Sequence, residues 1–277
     1  MHQRIPIVDL HFQHSVSSCD RVPLLGEWDR DSFPLKSSCP HVVLTDSSLQ
    51  HAEGFSGIPV YGWLLESPQV TSSAYEYAAD PGNTVSIFSV FEKIFTFKKD
   101  LLELSDKFEF VPLGGCWIKD EDIRVHPKTK GVSIIASQKS STYGQQLRHK
   151  VINELGEGLA VYGRGYNPME YKLKALKDYK YSIVIENCKE DYYFSEKLID
   201  CIATGTIPIY WGCPSIGDFF NKDGILSFDT LEDLTKILME IKEGESNIFE
   251  EALLENLETC KKYLIADDII FKKLQEK

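Results

Sequence analysis

The chain is 277 residues long, 43% of its residues are hydrophobic, and its formal net charge is −12. This length is sufficient to bury one large core or two small ones. The acidic balance argues against a general nucleic-acid-binding protein, which would present a basic face, so any anion-binding site must be local.

The cysteines and the hydropathy pattern indicate in which cellular compartment the protein is expected. Seven cysteines are scattered along the chain without a Cys-x-x-Cys pair, which favours reduced, mostly buried thiols over a disulfide framework or a zinc site. No apolar run reaches membrane-spanning length, and the N-terminal sequence MHQRIPIVDLHF lacks the layout of a signal peptide. We therefore expect a cytoplasmic protein without a transmembrane segment.

The chain opens with two predicted strands, residues 4–12 and 41–45, separated by a polar loop with little periodicity. That loop contains Asp29, Arg30 and Asp31, and an Asp-x-Asp pattern is a known mark of metal-dependent transferases. Two loop aspartates around an arginine more often pair with it in solvent, and no third ligand is evident. The sequence therefore does not favour a metal site here.

Residues 58–65 (IPVYGWLL) form a strongly strand-like run that is followed directly by Glu66. A carboxylate at the end of a strand is mounted on a rigid element, where catalytic groups are commonly found. The ordinary alternative is a glutamate that caps a turn. Further along, residues 89–100 are expected to combine a short helical segment with a strand, and residues 108–117 to be the last N-terminal element.

Residues 118–130 are charged and polar with one proline, which predicts a domain boundary. We therefore expect an N-terminal α/β domain over 1–125 and a C-terminal α/β domain over 131–277 that includes the terminal helices. In the second half, strands alternate with helices, as in a doubly wound parallel sheet. The predicted strands are 132–137, 159–162, 181–186, 207–211 and 224–228, and the predicted helices are 145–155, 169–178, 195–204, 214–220, 231–241 and 249–273. No Gly-x-Gly-x-x-Gly follows a strand, so a dehydrogenase-type dinucleotide site is disfavoured.

A first group of anion-binding candidates lies between a strand and a helix of the second half. In residues 137–150 (SQKSSTYGQQLRHK), Ser137 and Lys139 can each donate to a phosphate, and Arg148 lies on the helix that follows. The alternative is a polar loop with one helix arginine in a surface ion pair, which contributes little energetically.

The most informative stretch is the strand–loop–helix–strand unit over residues 181–212. Such a unit closes as a right-handed crossover, and ligands of open α/β sheets lie beyond the carboxyl ends of the strands. Ser195 is a plausible N-cap there, and the helix N-terminus with Lys197 suits a phosphate. Glu196 suits the diol of a ribose or sugar. Alternatively, Glu196 only complements the helix dipole and Lys197 is a solvated surface lysine.

The whole string resembles the C-terminal signature of family 10 glycosyltransferases, the α-1,3/4-fucosyltransferases. The matching residues are Glu186, Asn187, Tyr193, Ser195, Glu196, Lys197, Gly205, Ile207, Pro208, Ile209, Tyr210, Trp211, Gly212, Pro214 and Ser215. The resemblance extends from about residue 131 to about residue 230 and is faint over residues 1–125. Animal members are anchored Golgi proteins with a stem, and this chain departs from them, which favours a soluble enzyme of the bacterial or viral type.

This resemblance implies an α/β fold of two facing Rossmann-like domains (GT-B type), with the acceptor on the N-terminal side. It implies an inverting, metal-independent transfer of L-fucose from GDP-fucose to a saccharide hydroxyl, with no cofactor beyond the donor. Glu66 is then the catalytic base, and the donor- or nucleotide-binding residues are Arg148, Asn187, Tyr193, Ser195, Glu196, Lys197, Ser137 and Lys139. Two alternatives remain open: another nucleotide sugar as donor, and a non-catalytic nucleotide- or glycan-binding module.

Overall fold

The structure is a computed structural model that describes residues 3–9, 17–19, 21–30, 35, 39–244 and 250–276. The chain divides into two compact units. The first unit comprises Met1–Leu113 together with Ile265–Lys277, and the second unit comprises Gly114–Leu264. This division differs from the predicted one, because the chain enters the second unit before residues 118–130 and its last helix belongs to the first unit.

The first unit is built on a six-stranded sheet of order β2-β1-β3-β4-β5-β6, in which every pairing is parallel. Its strands are β1 (Gln3–Val8), β2 (Gly26–Asp29), β3 (Val42–Thr45), β4 (Val60–Trp63), β5 (Phe91–Thr96) and β6 (Phe108–Phe110). Its helices are α1 (Ser72–Ala79), α2 (Pro81–Val90) and α3 (Lys99–Leu104), and a 3₁₀ helix spans Asp46–Phe55. The strand expected over 58–65 is thus shorter and ends before Leu64.

Strand β2 lies inside the segment that was expected to be a polar loop. Its sequence, GEWD, has neither β-branched residues nor a clean alternation, so its pairing with β1 has no local signal. Asp29 closes this strand and pairs with Arg4 at 3.7 Å, whereas Asp31 lies outside the described residues. Within the described part of the chain, no group of three His, Cys, Asp or Glu side chains is arranged to hold a metal ion.

The last helix, α9 (Ala266–Gln275), returns to the first unit although the sequence assigned it to the C-terminal domain. Its residues Ile270 and Phe271 are fully buried in the same core as Trp63. The ring of Phe271 lies 4.4 Å from the ring of Trp28, whose indole N–H donates to the Asp267 carboxylate at 2.6 Å. This packing partner is distant in the sequence, so an amphipathic pattern alone could not identify it.

The second unit contains a five-stranded parallel sheet of order β11-β10-β9-β7-β8. Its strands are β7 (Lys130–Ile135), β8 (Leu159–Tyr162), β9 (Tyr179–Ile185), β10 (Ile207–Trp211) and β11 (Leu226–Ser227). Its helices are α4 (Tyr143–Leu155), α5 (Leu173–Leu176), α6 (Glu196–Ala203), α7 (Leu231–Glu243) and α8 (Glu250–Cys260). The parallel α/β class expected from the alternation of elements is confirmed. The segment 169–178 is helical only over α5, and 214–220 contains a 3₁₀ turn, Ile216–Asp218.

The strand order of the second unit creates a switch point at β7. The chain runs from β7 to β8 on one side and then crosses to β9 on the other side. In open α/β sheets a crevice opens outside the carboxyl ends of the strands at such a point. The loops that leave β7 and β9 there are the two segments that the sequence marked for anion binding.

Candidate functional site

The loop after β9 is tied to the N-terminus of α6 by one buried carboxylate. Glu186 is fully buried, and its Oε1 accepts the backbone N–H of Ser195 at 2.9 Å. The hydroxyl of Ser195 donates to Glu186 Oε2 at 2.6 Å, and it caps α6 by accepting from the backbone N–H of Lys197 at 3.4 Å. Because its one proton points at Glu186, this hydroxyl serves the helix cap rather than donating into open space.

Lys197 projects from the first turn of α6. Its ammonium lies 3.0 Å from Ser195 Oγ, 3.3 Å from Glu196 Oε1 and 3.7 Å from Glu186 Oε2. The side chain remains 27% exposed. Its three partners hold the Lys197 ammonium in place, and the partly exposed side chain can still be reached from solvent.

Arg148 reaches the same loop from α4. Its Nε donates to the carbonyl of Ile185 at 3.1 Å, and its Nη2 donates to Asn187 Oδ1 at 2.9 Å. Helix α4 approaches this loop closely because Gly144 has no side chain: a Cβ there would lie 1.7 Å from the carbonyl oxygen of Glu186. A capping box formed by Thr142 and Gln145 fixes the start of the helix.

A third cation, Lys172, was not anticipated from the sequence. Its ammonium lies 2.8 Å from Asp200 Oδ2 and 3.3 Å from Glu196 Oε1. Burial would raise the pKa of the Glu196 carboxyl, but Lys197 and Lys172 hold it far below its usual range. Glu196 is therefore a fixed negative charge with a cation on each side.

These groups surround one cavity of about 250 Å³ within the second unit. The polar and charged residues in its lining include Ser137, Arg148, Lys172, Glu196, Lys197 and Asp200, and its apolar wall includes Ile135, Met169 and Ile183. An apolar wall with a few convergent polar groups is typical of a small-molecule site. Four predicted site residues, namely Ser137, Arg148, Glu196 and Lys197, are thus brought together.

The other predicted residues of this unit lie behind or beside the cavity. Tyr193 is 1% exposed and belongs to the protein interior, and Asn187 accepts from Arg148. Ser195 supports the helix cap. Lys139 is exposed, and its carbonyl lies 3.0 Å from Nε2 of His149. Of these, Asn187 and Ser195 contribute to the site by holding Arg148 and Lys197.

Glu66 belongs to the first unit and lies three residues beyond β4. Its side chain is half-buried. Its backbone N–H donates to Asp46 Oδ1 at 3.2 Å, and its carbonyl accepts from the Tyr75 hydroxyl at 2.7 Å. Asp46 was not singled out from the sequence, although it directly follows β3 at the carboxyl edge of the sheet.

Comparison with solved structures identifies the class of fold. An α1,3-fucosyltransferase is similar over 91% of this chain and 82% of its own, with a TM-score of 0.56 and 18% identity. Its structure with GDP-fucose gives a TM-score of 0.53. HepE from Anabaena, solved with UDP-glucose, is similar over 86% of this chain and 78% of its own, with a TM-score of 0.56 and 10% identity. The fold is that of the GT-B glycosyltransferases.

The sequence comparisons concern the second unit. Residues 125–250 match the family described as glycosyltransferase family 10 (fucosyltransferase), C-terminal domain, and this match lies within the second unit. The α-(1,3)-fucosyltransferase FucT of Helicobacter pylori is 33% identical over 94 residues, which are 33% of this chain and 20% of the relative. The chain thus spans about a fifth of that relative. Across the described residues, no helix combines the length and apolar character needed to cross a membrane.

Proposed function

We propose that this protein is an inverting, metal-independent glycosyltransferase that moves L-fucose from GDP-fucose to a saccharide hydroxyl. One observation carries the proposal: Arg148, Lys197 and Glu196 converge on one cavity at the switch point of the sheet, inside the segment that matches family 10. A site of this kind suits a nucleoside diphosphate, because it combines cations, a helix N-terminus and a carboxylate for a diol.

The lining of the cavity carries a surplus of positive charge before a ligand arrives. Arg148, Arg164, Lys172 and Lys197 line it together with Glu196 and Asp200, and the fully buried Glu186 lies behind Lys197. Lys172 and Lys197 already contact carboxylates, so a diphosphate that binds either ammonium must compete with those partners. Lys197 is suited to this exchange, since it is partly exposed and its contact with Glu186 is the long one at 3.7 Å.

The reaction is a single displacement at the anomeric carbon. The acceptor oxygen forms the new bond to that carbon, the bond to the phosphate oxygen breaks, and its electron pair leaves with GDP. Arg148, Lys197 and the N-terminus of α6 stabilise the charge that develops on the departing diphosphate. Two fixed cations and a helix N-terminus supply what a divalent ion supplies in metal-dependent transferases, which is the basis for metal independence.

The proton of the acceptor hydroxyl passes to Glu66. This role is carried over from the family resemblance and from the position of Glu66 beyond a strand of a rigid parallel sheet. The contacts of its backbone with Asp46 and Tyr75 fix the turn that presents the carboxylate. A general base of this kind contributes roughly 10² to 10⁴ in rate.

The first property to measure is which nucleotide the protein binds. We expect GDP to raise the melting temperature of the purified protein more than UDP, CMP or dTDP, and EDTA to leave that shift unchanged. GDP-fucose should then be hydrolysed slowly without acceptor and faster in the presence of oligosaccharides. A preference for UDP would keep the transferase and change the donor, an outcome that the similarity to HepE makes worth including. A shift without any turnover would favour a non-catalytic binding module.

A further inference from the structure

Lys172 lies between two carboxylates that line the cavity. Its ammonium is 2.8 Å from Asp200 Oδ2 and 3.3 Å from Glu196 Oε1. The Asp200 side chain is only 1% exposed, whereas the Glu196 side chain is 26% exposed. Asp200, Lys172 and Glu196 therefore form a series of ionic contacts that leads from the protein interior to the open cavity.

Asp200 has little freedom to move. Its Oδ1 accepts the backbone N–H of Trp117 at 2.6 Å, while its other oxygen accepts from Lys172. The ammonium of Lys172 also lies 5.2 Å from the centroid of the Trp117 ring. The direction in which Lys172 points is consequently fixed by a buried carboxylate and by an aromatic face.

The two oxygens of Glu196 are unequal. Oε1 accepts from Lys172 and from Lys197, each at 3.3 Å. Oε2 has only a 3.5 Å contact with Lys197 among the hydrogen bonds described for it. A carboxylate has about four acceptor sites, so Oε2 retains capacity for a ligand hydroxyl while Oε1 is held by Lys172.

We propose that Lys172, held by Asp200, is a positioning residue that orients the Glu196 carboxylate to accept hydrogen bonds from the ribose hydroxyls of a nucleoside diphosphate. The inference rests on the proposed function, which puts such a nucleotide in this cavity. A site built to bind a hydroxyl rejects an analogue that lacks it, because the buried acceptor is then left unpaired. The arrangement should therefore select ribonucleotides against 2′-deoxyribonucleotides.

The test compares the dissociation constants of GDP and 2′-deoxy-GDP by calorimetry. The unmodified protein should prefer GDP by about tenfold or more, which is the usual effect of one hydrogen bond to a charged acceptor. Lys172→Met retains the aliphatic stem over Trp117 and removes the ammonium. It should weaken GDP binding, leave 2′-deoxy-GDP binding nearly unchanged and reduce the preference to below about threefold.

Matched variants separate orientation from folding and from bulk charge. Lys172→Arg should restore most of the preference. Lys174→Met changes an exposed lysine of α5, the helix that Lys172 directly precedes, and should leave the preference intact. The double variant K172M/D200N removes the buried pair together, so no uncompensated carboxylate destabilises the fold, and it should also lose the preference. If Lys172 acts through Glu196, then K172M should change nothing further in an E196Q background.

Different results overturn different claims. If K172M weakens both nucleotides equally, or keeps the full preference, then Lys172 does not orient Glu196 and the inference is wrong, while the proposed function stands. If the unmodified protein binds neither GDP nor any other nucleoside diphosphate, the proposed function is wrong. If it binds UDP instead, the same comparison is made with UDP and 2′-deoxy-UDP, and it decides the inference in the same way.

Discussion

Asp46 and Glu66 are joined through the backbone: the fully buried carboxylate of Asp46 accepts the N–H of Glu66 at 3.2 Å and that of Leu65 at 3.0 Å. Asp46 adopts a positive φ of 42°, which is unusual for a residue other than glycine. Its second oxygen has no hydrogen-bond partner among the described residues. A strained, buried carboxyl thus holds the turn that carries the proposed base.

Asp46 should make stability depend on pH. Burial raises its pKa from 3.8 to about 7, so between these values the folded state holds a proton that the unfolded state has released. Stability from this group is therefore present at low pH and is lost as the pH rises towards 7. Asp46→Asn removes the titration. Relative to the unmodified protein, the variant should gain about 2–3 kcal/mol of unfolding free energy between pH 5 and pH 8.

Urea denaturation of both proteins at pH 5, 6.5 and 8 measures this difference. Asp106→Asn changes an exposed aspartate of the same unit and should not reproduce the effect. A constant difference between the D46N variant and the unmodified protein across this range would show that Asp46 is already ionised at pH 5.

Glu66→Gln should remove the proposed general base while leaving the proposed nucleotide site of the second unit unchanged. We expect kcat for transfer to fall by roughly 10² to 10⁴ and the dissociation constant of GDP to stay the same. Glu103→Gln, on the exposed side of α3, is the matched control and should behave as the unmodified protein. Near-normal turnover of the E66Q variant would remove Glu66 from the mechanism.

Lys197→Ala should weaken diphosphate binding more than nucleoside binding, because its ammonium lines the cavity and, at 27% exposure, can be reached by a ligand. A charge-assisted hydrogen bond contributes about 1.5–3 kcal/mol, so GDP affinity should fall by tenfold or more, whereas guanosine affinity should change little. Lys189→Ala is a suitable control, since this lysine pairs with Asp229 at 2.6 Å and does not line the cavity. Equal affinity of the K197A variant and the unmodified protein for GDP would exclude a diphosphate role.

The parts of this molecule that the sequence predicted are those with local signals. Helix α6 has Ser195 as its N-cap, and Gly205 adopts a φ of 65° just beyond its end, as the residue types indicated. Strand β2 and the placement of α9 depend instead on partners far away in the chain. The same distinction applies within the site.

In the site, Glu196 and Lys197 were identified because they share one turn and one motif with Ser195. Lys172 lies 28 residues from Asp200, and an isolated lysine in a polar segment has no sequence feature that marks it as the partner of a buried carboxylate. Asp46 was missed for a similar reason, since a positive φ at an aspartate is not evident from the residues around it. Polar contacts between segments that are distant in the sequence can therefore be recognised only once the fold is known.

Ser195→Ala should destabilise the protein more than the loss of a helix cap does elsewhere. A lost N-cap costs about 1 kcal/mol, but here the hydroxyl also satisfies the buried Glu186 at 2.6 Å, so we expect roughly 2–4 kcal/mol. Thr230→Ala is a matched control, because Thr230 caps α7 at an exposed position. Chemical denaturation of both variants measures the contrast, and equal losses would contradict a structural role for the Ser195–Glu186 bond.

Gly144→Ala should damage both the fold and the site, because a Cβ at this position would lie 1.7 Å from the backbone carbonyl oxygen of Glu186. A backbone atom cannot rotate away as a side chain can, so α4 must shift from the loop after β9. That shift would lengthen the bonds from Arg148 to Ile185 and Asn187. We therefore expect weaker GDP binding as well as a lower melting temperature.

Gly131→Ala is the appropriate comparison for this substitution. Gly131 belongs to β7 of the same unit, and a Cβ there would meet no atom within 4 Å. Because a glycine in a strand has an entropic cost, the G131A variant should be neutral or slightly stabilised, with unchanged GDP binding. If the G144A variant bound GDP as the G131A variant does, close contact between α4 and the Glu186 loop would not be needed to hold Arg148 in place.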